Sequence, residues 1–193
     1  LGSILMKKIL GIVLVASLML MCANAAFAGA GTGLTVDLEG NGDSAPDFTL
    51  KLFGSDETVT LSDHIGKKVI MLEFWATWCN ICKQEMPAMV KEYNELKDKG
   101  FELFAITLSQ GDDKDLEKIQ KLKDKHNLPY PILLDTKYQV ATEFYKLSGP
   151  IPLKIIIDCN GKLRYEHVGD FPEGSEVPFV VEALLEEGNC KPE

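Results

Sequence analysis

The sequence predicts an α/β protein, a mixed central sheet flanked by helices, and three observations carry that expectation. Two nearly unbroken apolar runs, Val69–Trp75 and Phe101–Leu108, read as strands covered on both faces. After each of them, Asn80–Lys99 and Asp113–Asn127 place apolar residues at helical spacing. Shorter alternating segments split by turn residues stand at both ends and read as hairpins.

The elements follow in chain order. Phe48–Phe53 alternates apolar and polar, Gly54-Ser55-Asp56 turns the chain, and Thr58–Leu61 returns, predicting an N-terminal β-hairpin. Ser62-Asp63-His64 opens a short connector to the strand Val69–Trp75. In the next helix Ile81, Met86, Met89, Val90, Tyr93 and Leu96 form the apolar stripe, Pro87 removes one N–H bond and predicts a kink, and Gly100 ends it. The second apolar strand leads into an amphipathic helix carrying Leu116, Ile119 and Leu122. Pro131–Asp135 predicts a short third strand of this series and Tyr138–Tyr145 a short helix. Leu153–Asp158 and Lys162–Val168, joined by the turn-prone Asn160-Gly161, predict a second hairpin. A last helix starts at Ser175 or Glu176 and runs through Leu185. The strands Val69–Trp75 and Phe101–Leu108 are expected to lie parallel, with helices on both faces of the sheet.

At 193 residues, 46% hydrophobic and 25% charged, the chain has the composition of one globular domain. Its start differs: Lys7 and Lys8 precede the apolar stretch Ile9–Met21 and the small-x-small triplet Ala26-Phe27-Ala28. That order predicts a secretory signal peptide over residues 1–28, best begun at Met6 and cut after Ala28. If uncut it would leave an N-terminal membrane anchor, although the stretch is short for a comfortable span. Residues 29–44, rich in Gly, Thr, Asp and Asn, are expected to form a flexible lead-in, and residues 45–193 the folded domain. Loss of the leader removes two lysines and no acid, so 20 basic and 29 acidic residues become 18 and 29, net −11. No basic stripe remains, which argues against nucleic acid and anionic membrane surfaces as partners. The expected location is extracytoplasmic, periplasm or cell envelope. In an oxidising compartment Cys79, Cys82, Cys159 and Cys190 should form two pairs.

Cys79 and Cys82 are two residues apart, follow an apolar strand and open a helix. A helix N-terminus carries partial positive charge and free N–H groups, which favour the thiolate of the first cysteine. The second, one turn on, can close a small disulfide ring. A zinc half-site would need two further ligands at similar spacing; there is no second Cys-x-x-Cys and no His-x-x-His. Redox exchange is therefore preferred over a structural or metal role, and neither metal nor cofactor beyond the Cys79–Cys82 couple is expected. Glu73 interrupts an otherwise apolar strand, so burial should raise its pKa. Glu85 lies early in the helix, where it favours the helix dipole. Pro152 precedes an apolar strand, a place where an X-Pro bond can be cis. If the last helix runs back antiparallel to the strand before it, its end reaches the turn holding Cys159, and a structural disulfide Cys159–Cys190 follows.

Together, Glu73-Phe74-Trp75-Ala76-Thr77-Trp78-Cys79-x-x-Cys82, Glu85-Met86-Pro87, and Gly149-Pro150-Ile151-Pro152 ahead of Ile155-Ile156-Ile157-Asp158 resemble the thioredoxin superfamily. More narrowly they are similar to the exported TlpA/ResA-type thiol–disulfide oxidoreductases of bacteria. Ala45–Leu50 is similar to the opening hairpin of that group, and residues 128–146 to its inserted strand and helix. The resemblance covers residues 45–188 and implies a thioredoxin fold. It implies Cys79 as nucleophile, Cys82 as resolving thiol, and Glu73 as the acid and base serving Cys82. It implies a tuning role for Glu85 beside the cysteines, with Glu73 and Glu85 adding negative charge that favours reduction. It also implies a cis Pro152, with Ile151 offering backbone groups to an extended substrate and Trp78 framing the site as apolar surface. The implied partners are a protein disulfide and a membrane thiol–disulfide electron donor, with apocytochrome c as a substrate. Two departures stand out: Ile81 replaces the family's Pro before the second cysteine, and Glu73 replaces its usual Asn.

Two alternatives belong to other classes. A thiol peroxidase of the peroxiredoxin type would share the fold, but Thr77-Trp78-Cys79 lacks the Pro that precedes a peroxidatic cysteine. A copper-binding chaperone of this superfamily uses Cys-x-x-x-Cys with a distal His, one residue more than the spacing here.

Overall fold

The computed structural model describes residues 42–169, 176–187 and 190–191, which fall within the unit Val36–Glu193. The expected leader, residues 1–28, and nearly all of the lead-in lie outside the described residues.

Seven strands form one mixed sheet: β1 (Thr49–Leu52), β2 (Thr58–Thr60), β3 (Val69–Trp75), β4 (Phe101–Thr107), β5 (Ile132–Leu134), β6 (Leu153–Ile157) and β7 (Leu163–Val168), in the order β2-β1-β5-β4-β3-β6-β7. Among the described residues three α-helices accompany them: α1 (Asn80–Leu96), α2 (Asp113–His126) and α3 (Val177–Glu186). β3 and β4 run parallel, from Val69 opposite Phe101 to Trp75 opposite Thr107. β5 continues the parallel set on β4, while β6 lies antiparallel on the other side of β3 and β7 on β6. The N-terminal hairpin joins the sheet through β1, antiparallel to β5.

The period of two along each strand sorts side chains into two cores. Val69, Met71 and Trp75 of β3, with Leu103, Ala105 and Ile156, pack under α1, α3 and Ile119 of α2. Ile70, Leu72 and Phe74, with Phe104, Ile106 and Leu153, face Phe48, Leu61, Val140 and Ala141. Both faces are covered, but the second by short turns rather than by long helices.

Four local differences from the sequence reading have physical causes. The helix opened by Cys79 stops being α-helical at Leu96, passes through a 3-10 turn at Lys97–Lys99 and ends at Gly100 with φ 97°. A side chain at Gly100 would press within 3.2 Å of Leu185. The short helix near 138–145 is wound as a π-turn, Val140–Phe144, with Tyr145 N–H reaching Val140 O at 3.0 Å and Asp135 Oδ2 accepting from Ala141 N–H at 2.9 Å. Its apolar spacing resembles an α-helix, and only the hydrogen-bond pattern separates the two. The last described residues of the lead-in are tied down, since Leu163 N–H donates to Asp43 O at 2.9 Å and Ser44 bridges Lys162. Finally, Ile81 of the α1 stripe, in the helix's first turn, is solvent-exposed rather than buried.

Candidate active site

β3 delivers the chain into the site, and α1 begins there. Cys79 is the N-cap of α1, in extended conformation, and its Sγ accepts the N–H of Cys82 at 3.1 Å. The cap thus directs the helix's free donors at the first sulfur, the environment that stabilises a thiolate. Cys79 and Cys82 are joined as a disulfide with Cα atoms 5.4 Å apart. Cys82 is fully buried, and Cys79 retains 6% exposure. Trp78 beside it is 69% exposed, whereas Trp75 is core.

The loop before β6 closes the site. The Ile151–Pro152 peptide is cis, and Cys79 Sγ lies 3.8 Å from the Ile151 carbonyl oxygen. Sequence alone named this loop and the cysteines, and the structure brings them together. A second strap, which no local sequence pattern marks, holds the same corner. Asp115, on the first turn of α2, accepts from Thr77 Oγ1 at 2.9 Å and also bonds Ser109. It ties the Trp78–Cys79 loop to the end of β4. Burial pushes the Asp115 carboxyl up, but Ser109, Thr77 and the Lys118 ammonium together more than offset this and hold it low.

Glu73 and Glu85 are both buried and share a hydrogen bond. Burial first, and the negative Glu85 second, push the Glu73 carboxyl up to about 8, while Lys154 pulls it down. Glu85 is therefore no exposed helix-dipole residue. Lys154, directly opposite Glu73 in the β3–β6 ladder, places Nζ 2.8 Å from Glu85 Oε1. The two carboxylates expected beside the thiolate are there, with Glu73 pushed toward its protonated form by burial and by Glu85, and Glu85 paired with the Lys154 ammonium. Lys154 is the functional-site residue that sequence reasoning missed. The logic applied to Glu73, a lone charge in an apolar strand, marks it equally well in Leu153-Lys154-Ile155-Ile156-Ile157.

Away from this site, Cys159 and Cys190 are joined, with Cα atoms 5.1 Å apart. Arg164 reinforces that corner, donating to Asp158 Oδ2 and to both carboxylate oxygens of Glu187, each at 2.9 Å.

The sequence profile of the AhpC/TSA family matches residues 41–166. The chain belongs to the AhpC/TSA family. Within it, the chain is 42% identical over 126 residues to the thiol-disulfide oxidoreductase ResA of Oceanobacillus iheyensis, covering 64% of this chain and 62% of that protein. It therefore spans just under two thirds of that relative's length. Against ResA of Bacillus subtilis the identity is 33% over 152 residues, covering 76% of this chain and 77% of the relative. The chain is thus a member of the ResA-like thiol–disulfide oxidoreductases. Among solved structures, the thioredoxin domain of a thiol-disulfide oxidoreductase from Bacteroides vulgatus superposes with a TM-score of 0.61 at 27% identity, covering 74% of this chain and 95% of that one. The architecture is the thioredoxin fold.

Proposed function

We infer that this family member is an exported reductase of protein disulfides, working through the Cys79–Cys82 dithiol. The observation that carries the reading is the placement of Cys79 at the mouth of α1, 3.8 Å from the carbonyl preceding cis Pro152. An extended substrate segment pairing with the backbone at Ile151 would present its disulfide to that sulfur. The Cys79 thiolate attacks one substrate sulfur, and the other leaves with the electron pair. Cys82 then attacks Cys79 Sγ, closing the enzyme disulfide and releasing the reduced substrate. Glu73 and Glu85 serve as the proton site for Cys82, since Glu85 lies three residues after Cys82 on the same face of α1. Trp78 and Ile81, both exposed, supply apolar surface at the rim.

Export is supported by the leader-like order of Lys7, Lys8, Ile9–Met21 and Ala26–Ala28. A second disulfide remote from the site, Cys159–Cys190, suits an oxidising compartment. A membrane thiol carrier as electron donor and apocytochrome c as substrate complete the proposal, on the resemblance to exported reductases. The relatives are named for thiol–disulfide exchange, which favours neither the peroxidase nor the copper-chaperone alternative. Direction is tested by the reduction potential of the Cys79–Cys82 couple. A value near about −270 mV supports a reductase, and one near about −120 mV makes the protein an oxidant. Cys82→Ser should trap the substrate as a mixed disulfide on Cys79; failure to trap any would defeat the assignment of the nucleophile.

A further inference from the structure

Lys154 is fully buried. Its Nζ lies 2.8 Å from Glu85 Oε1 and donates to Glu85 Oε2 and to Gly169 O, both at 2.9 Å. Gly169 N–H in turn donates to Pro152 O at 2.8 Å. The ammonium is thus fixed between α1, the end of β7 and the cis-proline loop, two residues beyond Pro152. Removing a buried ion pair in favour of packed apolar groups is often neutral for stability, so packing alone gives no reason for a lysine here.

We propose that Lys154 is a positioning residue that holds the Glu73–Glu85 pair at a single shared proton and one negative charge, leaving a carboxylate ready to receive the Cys82 proton. This rests on the reductase reading only for its purpose in the cell; the chemistry is a property of the dithiol itself. In the resolving step the Cys82–H proton passes to the carboxylate pair. The Cys79–Cys82 bond forms, the bond from Cys79 to the departing sulfur breaks, and that sulfur leaves with the electron pair. Lys154 exchanges no proton. Its charge keeps the pair from filling with a second proton, which two buried carboxyls without a cation would take up near neutrality.

Other titratable groups face this cluster. Tyr130 lies near both carboxyls, and burial together with their charges holds its hydroxyl protonated. His167 stands opposite Lys154 in the β6–β7 ladder and stacks on Tyr165. The cysteines complete the set. The measurements are therefore made in a His167→Gln background, so that the profile reports the carboxyl pair.

Two readouts on the full chain test the assignment. The first is an infrared titration of the protonated carboxyl band in the disulfide form, with no substrate present. Lys154→Met should move the carboxyl midpoint upward by at least one pH unit, and Lys154→Arg should leave it within a few tenths. The second is stopped-flow release of the coloured thiolate when the reduced protein meets excess 5,5′-dithiobis(2-nitrobenzoate). The first equivalent leaves as Cys79 attacks the reagent, at a rate proportional to its concentration. The second, concentration-independent equivalent leaves as Cys82 attacks the mixed disulfide and is the phase read here. At pH 7 Lys154→Met should slow it tenfold or more, with its pH limb following the infrared midpoint. An unmoved midpoint, an unchanged rate, or equal losses in the Met and Arg variants would overturn the proposal. Should Lys154→Met unfold at pH 7, it is expected to fold at pH 5, where a lower charge on the buried cluster no longer needs the cation; a variant unfolded at both would make the lysine a packing residue and sink the idea. An oxidising potential with the shift intact defeats only the reductase reading, and a reducing potential without the shift defeats only the lysine assignment.

Discussion

Glu73 holds a proton in the folded protein that the unfolded chain would release. Its ordinary value of 4.5 is raised to about 8 by burial and by Glu85. Between those values the native state binds more protons than the unfolded state, so stability falls as pH rises through the window and levels off above it. The stabilising contribution is complete below the unfolded value and gone above the folded one. Glu73→Gln, neutral at every pH, should remove about one proton from that slope, measured by urea unfolding at pH 5, 6.5 and 8. The same substitution should slow Cys82 attack by roughly a hundredfold and flatten its pH profile, if the carboxyl acts as acid and base. The burial of Glu73 was readable because six apolar residues surround it in β3. Its partners were not, since nothing in a one-dimensional pattern says that residue 154 will lie across the ladder from residue 73. Only the antiparallel register of β6 on β3 supplies that fact.

The elements best anticipated are those whose physics is local. The apolar runs of β3 and β4, the cap at Cys79 and the Asn160-Gly161 turn of the second hairpin depend on neighbouring residues. The strap from Asp115 to Thr77 does not, because α2 and the loop before α1 are 38 residues apart in sequence. Nothing in the local pattern distinguishes Asp115 from the other acids of that amphipathic helix. Asp115→Ala should cost about 1 kcal/mol through the lost bond to Thr77. It should also loosen the Trp78–Cys79 loop, read as faster hydrogen exchange at Cys79 N–H, which donates to Ala76 O at 3.0 Å. Asp112→Ala, which removes the N-cap bond to Asp115 N–H at 2.8 Å, should cost a similar amount while leaving the loop unchanged. A like effect of both on the loop would mean that α2 acts as a unit rather than through Asp115.

For the whole molecule, sheet order was the least legible property. The N-terminal hairpin could have paired with several edges, and its seat on β5 is set by long-range packing of Leu50 and Leu52 against the second core. The Cys159–Cys190 crosslink was legible for a simpler reason, that a helix returning along the sheet must end near the turn it left. Its loop of 31 residues should contribute roughly 3–4 kcal/mol on the loop-entropy model. Cys159→Ser with Cys190→Ser should lower the unfolding midpoint accordingly and leave thiol exchange at Cys79 intact. Lys191 N–H to Gly66 O at 2.8 Å and the Arg164–Glu187 fork would still hold the C-terminal segment.

The crosslinked corner has a corollary for the reductase proposed above. Every copy carries a cystine of its own, and in a crowded compartment neighbours collide constantly with their nucleophiles armed. Burial of Cys159 closes one of the crosslink's two sulfurs to an approaching thiolate, and the partly buried Cys190 sets how fast the bond can be opened. Alkylation of a sample stored in its armed form should label Cys79 ahead of the more deeply buried Cys82, and label at Cys159 and Cys190 would mean that a neighbour had opened the crosslink through Cys190.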